Sequence, residues 1–244
     1  MAIDPDVRVL IDEIGGRLGR SYHVGRAFMV LDAVTPAELA DAANAGVTHA
    51  LVFATWGTLQ ASEGGPVDVS SVLTDILNAR AAGLLVCLEV RLQYPPAHVT
   101  TSGVKLKDQD ENEWSAGQGS GANIRDWIWD GTTRGFVEDF LDKLFAMLTW
   151  DDIDRVRLGG LNLGELSFPQ TSGTAREFWG HSAPAQTGVG IAAGMGPCPV
   201  PDHLVSATPN WVDDDRTFVA WYNQSLINWM QWYAISPRGH IQTD

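Results

Sequence analysis

Two stretches decide the fold, Ala50-Leu51-Val52-Phe53-Ala54-Thr55 and Leu84-Leu85-Val86-Cys87-Leu88-Glu89-Val90. Each is almost wholly apolar, as a strand buried on both faces must be. Between them Val69, Val72, Leu73, Ile76 and Leu77 recur at helical spacing, which predicts a crossover helix. The alternation continues outward. Upstream, Ala27 to Leu31, closed by Asp32, predicts a first strand, and Thr35-Pro36-Ala37-Glu38 opens a helix with a capping box and a proline in its first turn. Downstream, Val137, Phe140, Leu141, Leu144 and Leu148 mark another helix, and Val156 to Leu161 a fourth strand. Val219, Tyr222, Leu226, Trp229 and Tyr233 mark the last helix. Strands joined by helical crossovers run parallel under a cover of helices.

The expected class is therefore α/β, of (β/α) barrel type. A complete barrel takes roughly 250 residues, close to the 244 present. Two long loops, 93–134 and 166–216, use so many of them that only about four βα units fit, the N-terminal half of a barrel. Residues 1–20 form a separate unit, in which Val7, Leu10, Ile11, Ile14 and Leu18 predict a helix over Asp4 to Gly19. It reads equally as a docking or oligomerisation element and as a plug on the barrel floor. The expected barrel half then occupies 21–244, and the open edges of its sheet are a second expected place for an oligomer or assembly partner.

With 30 acidic against 16 basic side chains, the formal charge is −14. A field of that sign repels nucleic acid and disfavours anionic membrane surfaces. No window approaches the roughly 18 apolar residues of a membrane span, and Met1 to Arg20 lacks the pattern of a signal peptide. The expected location is cytoplasmic or virion-associated. Cys87 and Cys198 exclude a disulfide framework, and His98, His181 and His203 lack metal-ligand spacing. No cofactor or metal is expected. Trp (10) outnumbers both Phe (8) and Tyr (4), and indole faces serve either as core or as platforms for stacking sugars.

Parallel sheets place function at the carboxyl ends of their strands. Those ends carry Asp32, Trp56, Arg91 and Glu165, and both long loops leave from them. The richest segment is Gly159-Gly160-Leu161-Asn162-Leu163-Gly164-Glu165-Leu166-Ser167-Phe168-Pro169. A carboxylate at a strand mouth, flanked by glycines that admit a substrate to the backbone, suits a proton donor. Partial burial beside aromatic groups raises its pKa as general-acid work at neutral pH requires. The alternative is an ion pair with Arg91 or Arg157. Trp127 and Trp129, on one side of an extended segment, and Trp179 in the second loop are candidates for stacking a glycan.

Gly164-Glu165-Leu166-Ser167-Phe168-Pro169 resembles the acid-catalyst motif of family 14 glycoside hydrolases, the β-amylases. Phe28-Met29-Val30-Leu31-Asp32 is similar to their first strand, and Ala45-Gly46-Val47 through Trp56-Gly57 and Gly65-Pro66 to their second unit. Family 42 β-galactosidases share the layout, including a proline pair after the third strand, as in Tyr94-Pro95-Pro96. The likeness spans about Val24 to Phe168. It implies Glu165 as general acid or acid/base, Asp32 on sugar hydroxyls and Trp56 on the subsite floor, with a polysaccharide or oligosaccharide as substrate; Arg91 and Asn162, read from the strand ends, are expected to shape the site with them. The chain departs from these patterns at Leu92-Gln93, where β-amylases have histidine. It departs again at Gly164, where the retaining enzymes have asparagine, and at Gln60, where glutamate is usual.

Glycoside hydrolysis uses two carboxylates, about 5 Å apart in retaining enzymes and about 6.5–9.5 Å apart in inverting ones. No second one is evident, since Asp213-Asp214-Asp215 reads better as an acidic helix start. A rival expectation follows: a non-catalytic glycan-recognition or structural protein on the same scaffold. Its particular form is a bacteriophage minor tail component, whose acidic, Arg-rich style this chain shares.

Overall fold

The computed structural model describes residues 35–114, 124–157, 160–161, 168, 178–200 and 213–235. The first predicted strand and the 4–19 helix lie outside these residues, as do Asp32, Asn162 and Glu165. Helix α1 (Pro36–Asn44) begins as its sequence dictates. The Thr35 hydroxyl accepts from the Glu38 N–H at 3.3 Å while the Glu38 carboxylate accepts from the Thr35 N–H at 2.8 Å. The chain leaves the helix through Gly46, whose φ of +87° is in a region that side chains avoid. It then enters strand β1 (His49–Thr55), a short helix α2 (Trp56–Leu59), and helix α3 (Ser70–Ala81). Strand β2 (Leu85–Arg91), helices α4 (Ala97–Ser102) and α5 (Gly131–Ala146), and strand β3 (Arg155–Arg157) follow. Helix α6 (Ala183–Thr187) lies in the second long loop, and α7 (Asp213–Ile235) closes the described chain.

The strands form a parallel sheet in the order β1-β2-β3, with Phe53 beside Glu89 and Glu89 beside Arg157. This is the parallel α/β arrangement that the sequence predicts, three of whose four expected strands are described. Strand alternation divides the sheet into two faces. Ala50, Val52, Ala54, Val86, Leu88 and Val90 point into the main apolar core with Leu39, Val72 and Ile76 from the covering helices. His49, Leu51, Phe53, Cys87, Glu89, Arg91, Arg155 and Arg157 point the other way, to the side that lines the interior in a barrel. At the amino ends, Asp154 accepts from the Val86 N–H at 2.7 Å and pairs with Arg80 at 3.0 Å, locking β2 to β3.

One detail departs from expectation. Leu77, predicted on the buried face of α3, is 64% exposed, and Ala79 takes the buried place instead. In the first long loop, alternation from Val104 to Trp114 around Asp108-Gln109-Asp110 reads as a small hairpin, and the structure has one there. In it Trp114 donates to Leu106 at 2.9 Å and Asp108 to Asn112 at 3.0 Å. The Asp108 carboxylate accepts from the backbone N–H groups of Asp110 and Asn112 and from the Asn112 amide, so it serves the turn.

Candidate functional site

The carboxyl ends of the described strands converge on one charged cluster. Glu89 is 4% exposed, and both of its oxygens are engaged. Oε1 accepts from Arg91 Nε at 3.2 Å and Oε2 from Arg157 Nη1 at 2.6 Å. The Arg91 guanidinium also lies over the Phe53 ring, 3.2 Å from its centroid, a cation–π contact. Arg91 thus stands at its predicted position, on the non-helical face of the sheet near the strand ends, tied to its own strand. Sequence reading missed Glu89, a charged residue inside an otherwise apolar strand. Buried carboxylates require compensating partners, and this one has two guanidiniums, of which that of Arg157 joins β2 to β3. Gln93 lies two residues beyond Arg91, 3% exposed, and its Oε1 is buried without a partner among the described residues.

Trp56 begins α2 directly after β1. Its ring is fully buried and stacked on Phe140 of α5 at 5.3 Å. Its indole N–H donates to Gln60 Oε1 at 2.9 Å, and Gln60 Nε2 donates to Asp139 of α5 at 2.9 Å. Gln60, 1% exposed, is therefore the polar link between the end of β1 and α5. Trp56 fills the space beneath the strand end, and neither of its faces is open to a ligand.

The same correction applies to the other tryptophans expected as stacking platforms. Trp127, Trp129 and Trp179 are each 0% exposed. Trp127 and Trp129 lie in a turn rather than an extended segment, because Asp126 Oδ1 accepts from the Trp129 N–H at 2.9 Å. Trp129 stacks on Trp221 at 5.3 Å and on Phe168 at 5.8 Å, and Trp179 packs edge-on against Trp114 at 5.3 Å. These rings join the two long loops to α7. Phe178 donates to Gln109 of the hairpin at 2.8 Å, and the Trp179 N–H to the Tyr222 hydroxyl at 3.1 Å. Burying an aromatic ring removes about 150–250 Å² from water, worth roughly 4–6 kcal/mol as an upper bound. These contacts are scaffolding among the described residues of the loops and α7.

Behind this aromatic layer sits Asp126, fully buried, whose carboxylate also accepts from the Ser182 hydroxyl. Burial pushes its pKa up to about 7, helped by the nearby Asp130 and opposed by the hydrogen bonds from Ser182 and Trp129. Asp130 caps α5, accepting from the Thr133 N–H at 2.7 Å. His98 packs edge-on against Phe136, and burial lowers its pKa; the His181 ring contacts the Phe178 carbonyl at 3.2 Å. His203 lies outside the described residues. Cys87 and Cys198 are free thiols, and burial raises the pKa of Cys87. Among the described residues no group of His, Cys, Asp and Glu could hold a metal ion.

Gly160 follows β3 on the way to Glu165, with φ at +116°. A Cβ there would come within 2.7 Å of the Leu92 side chain. This glycine makes room for a packed leucine rather than for an approaching ligand.

The architecture has a counterpart among solved structures. The catalytic domain of the β-amylase from Paenibacillus polymyxa is similar in fold, with a TM-score of 0.61 and 16% sequence identity. The match covers 87% of this chain and 62% of that one. A likeness at this identity is one of fold, that of a partial barrel. No family model and no curated protein matches the sequence. Among the described residues no helix is long and apolar enough to cross a membrane.

Proposed function

We propose that the chain is a carbohydrate-active protein of glycoside hydrolase type, with Glu165 donating a proton to a glycosidic oxygen of an oligosaccharide or polysaccharide. Asp32 and Asn162 hydrogen-bond sugar hydroxyls in this reading, and Arg91 shapes the site from its anchored position on Glu89. The observation that carries it is a barrel-type parallel sheet whose non-helical face bears Glu89, Arg91 and Arg157 near the strand ends. The segment holding Glu165 departs from the last of those ends. Such a mouth is where barrel enzymes place their chemistry. The buried Trp56, Trp127, Trp129 and Trp179 serve it as supports.

The test is Glu165→Gln against a panel of α- and β-linked glycans, with reducing-end release and binding measured in parallel. Loss of at least a hundredfold in turnover with binding retained is expected for a general acid. Unchanged turnover of a susceptible glycan overturns the assignment. Binding without hydrolysis by the unaltered protein selects the recognition protein instead.

A further inference from the structure

A cleft of about 410 Å³ opens between α4, the hairpin and the start of α6. Its volume is within the ordinary range for small-molecule sites, about 300–1,000 Å³. Thr100, Thr101, Lys105, Lys107, Glu113 and Ser182 supply its polar lining. Only three lysines occur in the whole chain, at 105, 107 and 143. Two of them meet here, in a protein of net charge −14. Alternation along the hairpin strand explains how: Leu106 is fully buried in the core, so its neighbours on either side face the cleft.

The lining is divided chemically. On one wall the lysine ammonium groups are donors only. On the other, the Thr100 and Thr101 hydroxyls both donate to the Ala97 carbonyl at 2.9 Å, so the lone pairs of their oxygens are what they can offer a ligand. A bare oxyanion uses the first wall and has no proton for the second. A sugar carrying a carboxylate uses both. The place of that carboxylate is already marked, because Glu113 accepts from Lys105 Nζ at 2.6 Å. Both partners of that pair are over two-fifths exposed, and ion pairs so solvated are weak. Lys107 is paired in the same way with Glu111 at 3.0 Å. Exchanging Glu113 for a ligand carboxylate therefore costs little.

We propose that this cleft binds an acidic saccharide, whose carboxylate replaces Glu113 on Lys105 with Lys107 beside it and whose hydroxyls donate to Thr100 and Thr101. The test is calorimetric titration of the full chain with D-glucuronate, D-glucose and inorganic sulfate. Glucuronate should bind at least roughly tenfold more tightly than either of the others, the equivalent of one charge-assisted hydrogen bond. The Lys105→Ala/Lys107→Ala variant should lose that tenfold, and Glu113→Gln, which removes the internal competitor, should strengthen binding about threefold. Sulfate binding as tightly as glucuronate, glucose binding as tightly as glucuronate, or indifference of the lysine variant overturns the proposal. So does a Glu113→Gln variant that binds glucuronate no better than the unaltered chain. These readings are of binding alone, so they stand apart from whether Glu165 is a proton donor.

Discussion

Glu89 and Arg157 face each other across neighbouring parallel strands, Oε2 to Nη1 at 2.6 Å, and their pairing fixes β3 to β2 at the end from which the 158–200 segment departs. The carboxylate is buried while Arg157 is about one-third exposed. Removing the negative charge leaves two guanidiniums side by side, only one of them well solvated. Breaking a fully buried pair costs about 3–5 kcal/mol, and solvation of Arg157 reduces this. Glu89→Gln should lower unfolding stability by about 2 kcal/mol in urea titration. Glu89→Gln together with Arg157→Leu should recover part of that loss.

Asp126 makes stability depend on pH in an unusual direction. Its carboxyl keeps its proton up to about pH 7 in the folded chain and releases it near 3.9 when unfolded. Between those values the folded state binds more protons. Its contribution to stability is thus greatest below about 4, falls as pH rises through the window, and levels off above about 7. The full difference is on the order of 4 kcal/mol. Asparagine keeps the acceptor for the Trp129 N–H and cannot ionise. Asp126→Asn should therefore be more stable than the unaltered protein at pH 8 and similar to it at pH 4, measured by denaturant midpoints.

The tryptophans test core against platform. Trp127 and Trp129 are fully buried, and neither indole N–H finds a partner among the described residues. Phenylalanine removes an unsatisfied donor, a gain of about 1–3 kcal/mol, against the loss of ring volume. Trp127→Phe should cost less than about 1.5 kcal/mol, whereas Trp127→Ala should cost about 3–5 kcal/mol. Glycan affinity should be unchanged in the phenylalanine variant; a large loss of affinity in a protein of unaltered stability would restore the platform.

Much of the fold was legible because its signals are local. The Thr35 and Glu38 capping box needs four residues, and the strands at 49–55 and 85–91 need only their apolar runs. The charged cluster was less legible. Arg91 stands two residues from Glu89 and shares its face, but Arg157 is 68 residues away, and no local pattern joins them. The tryptophans misled for a related reason. Spacing places Trp127 and Trp129 on one side only if the segment is extended, and capture of the Trp129 N–H by Asp126 makes it a turn. Composition cannot tell an indole that binds a sugar from one that binds Phe140.

Gly160 separates these two kinds of reading at one position. In sequence it belongs to a glycine-rich approach to Glu165, where small residues admit a ligand. In the structure its absent Cβ is the space that Leu92 occupies, 2.7 Å away, and its φ of +116° strains any other residue. Both effects act on folding, since Leu92 is fully buried at the end of β2. Overpacking costs about 1–3 kcal/mol and an unfavourable backbone region about 1–3 kcal/mol more. Gly160→Ala should lower stability by at least about 2 kcal/mol, and Leu92→Ala in the same chain should not rescue it, because the Leu92 Cβ at 2.7 Å remains. If the glycine serves ligand approach alone, Gly160→Ala instead leaves the unfolding midpoint where it is and weakens only glycan binding.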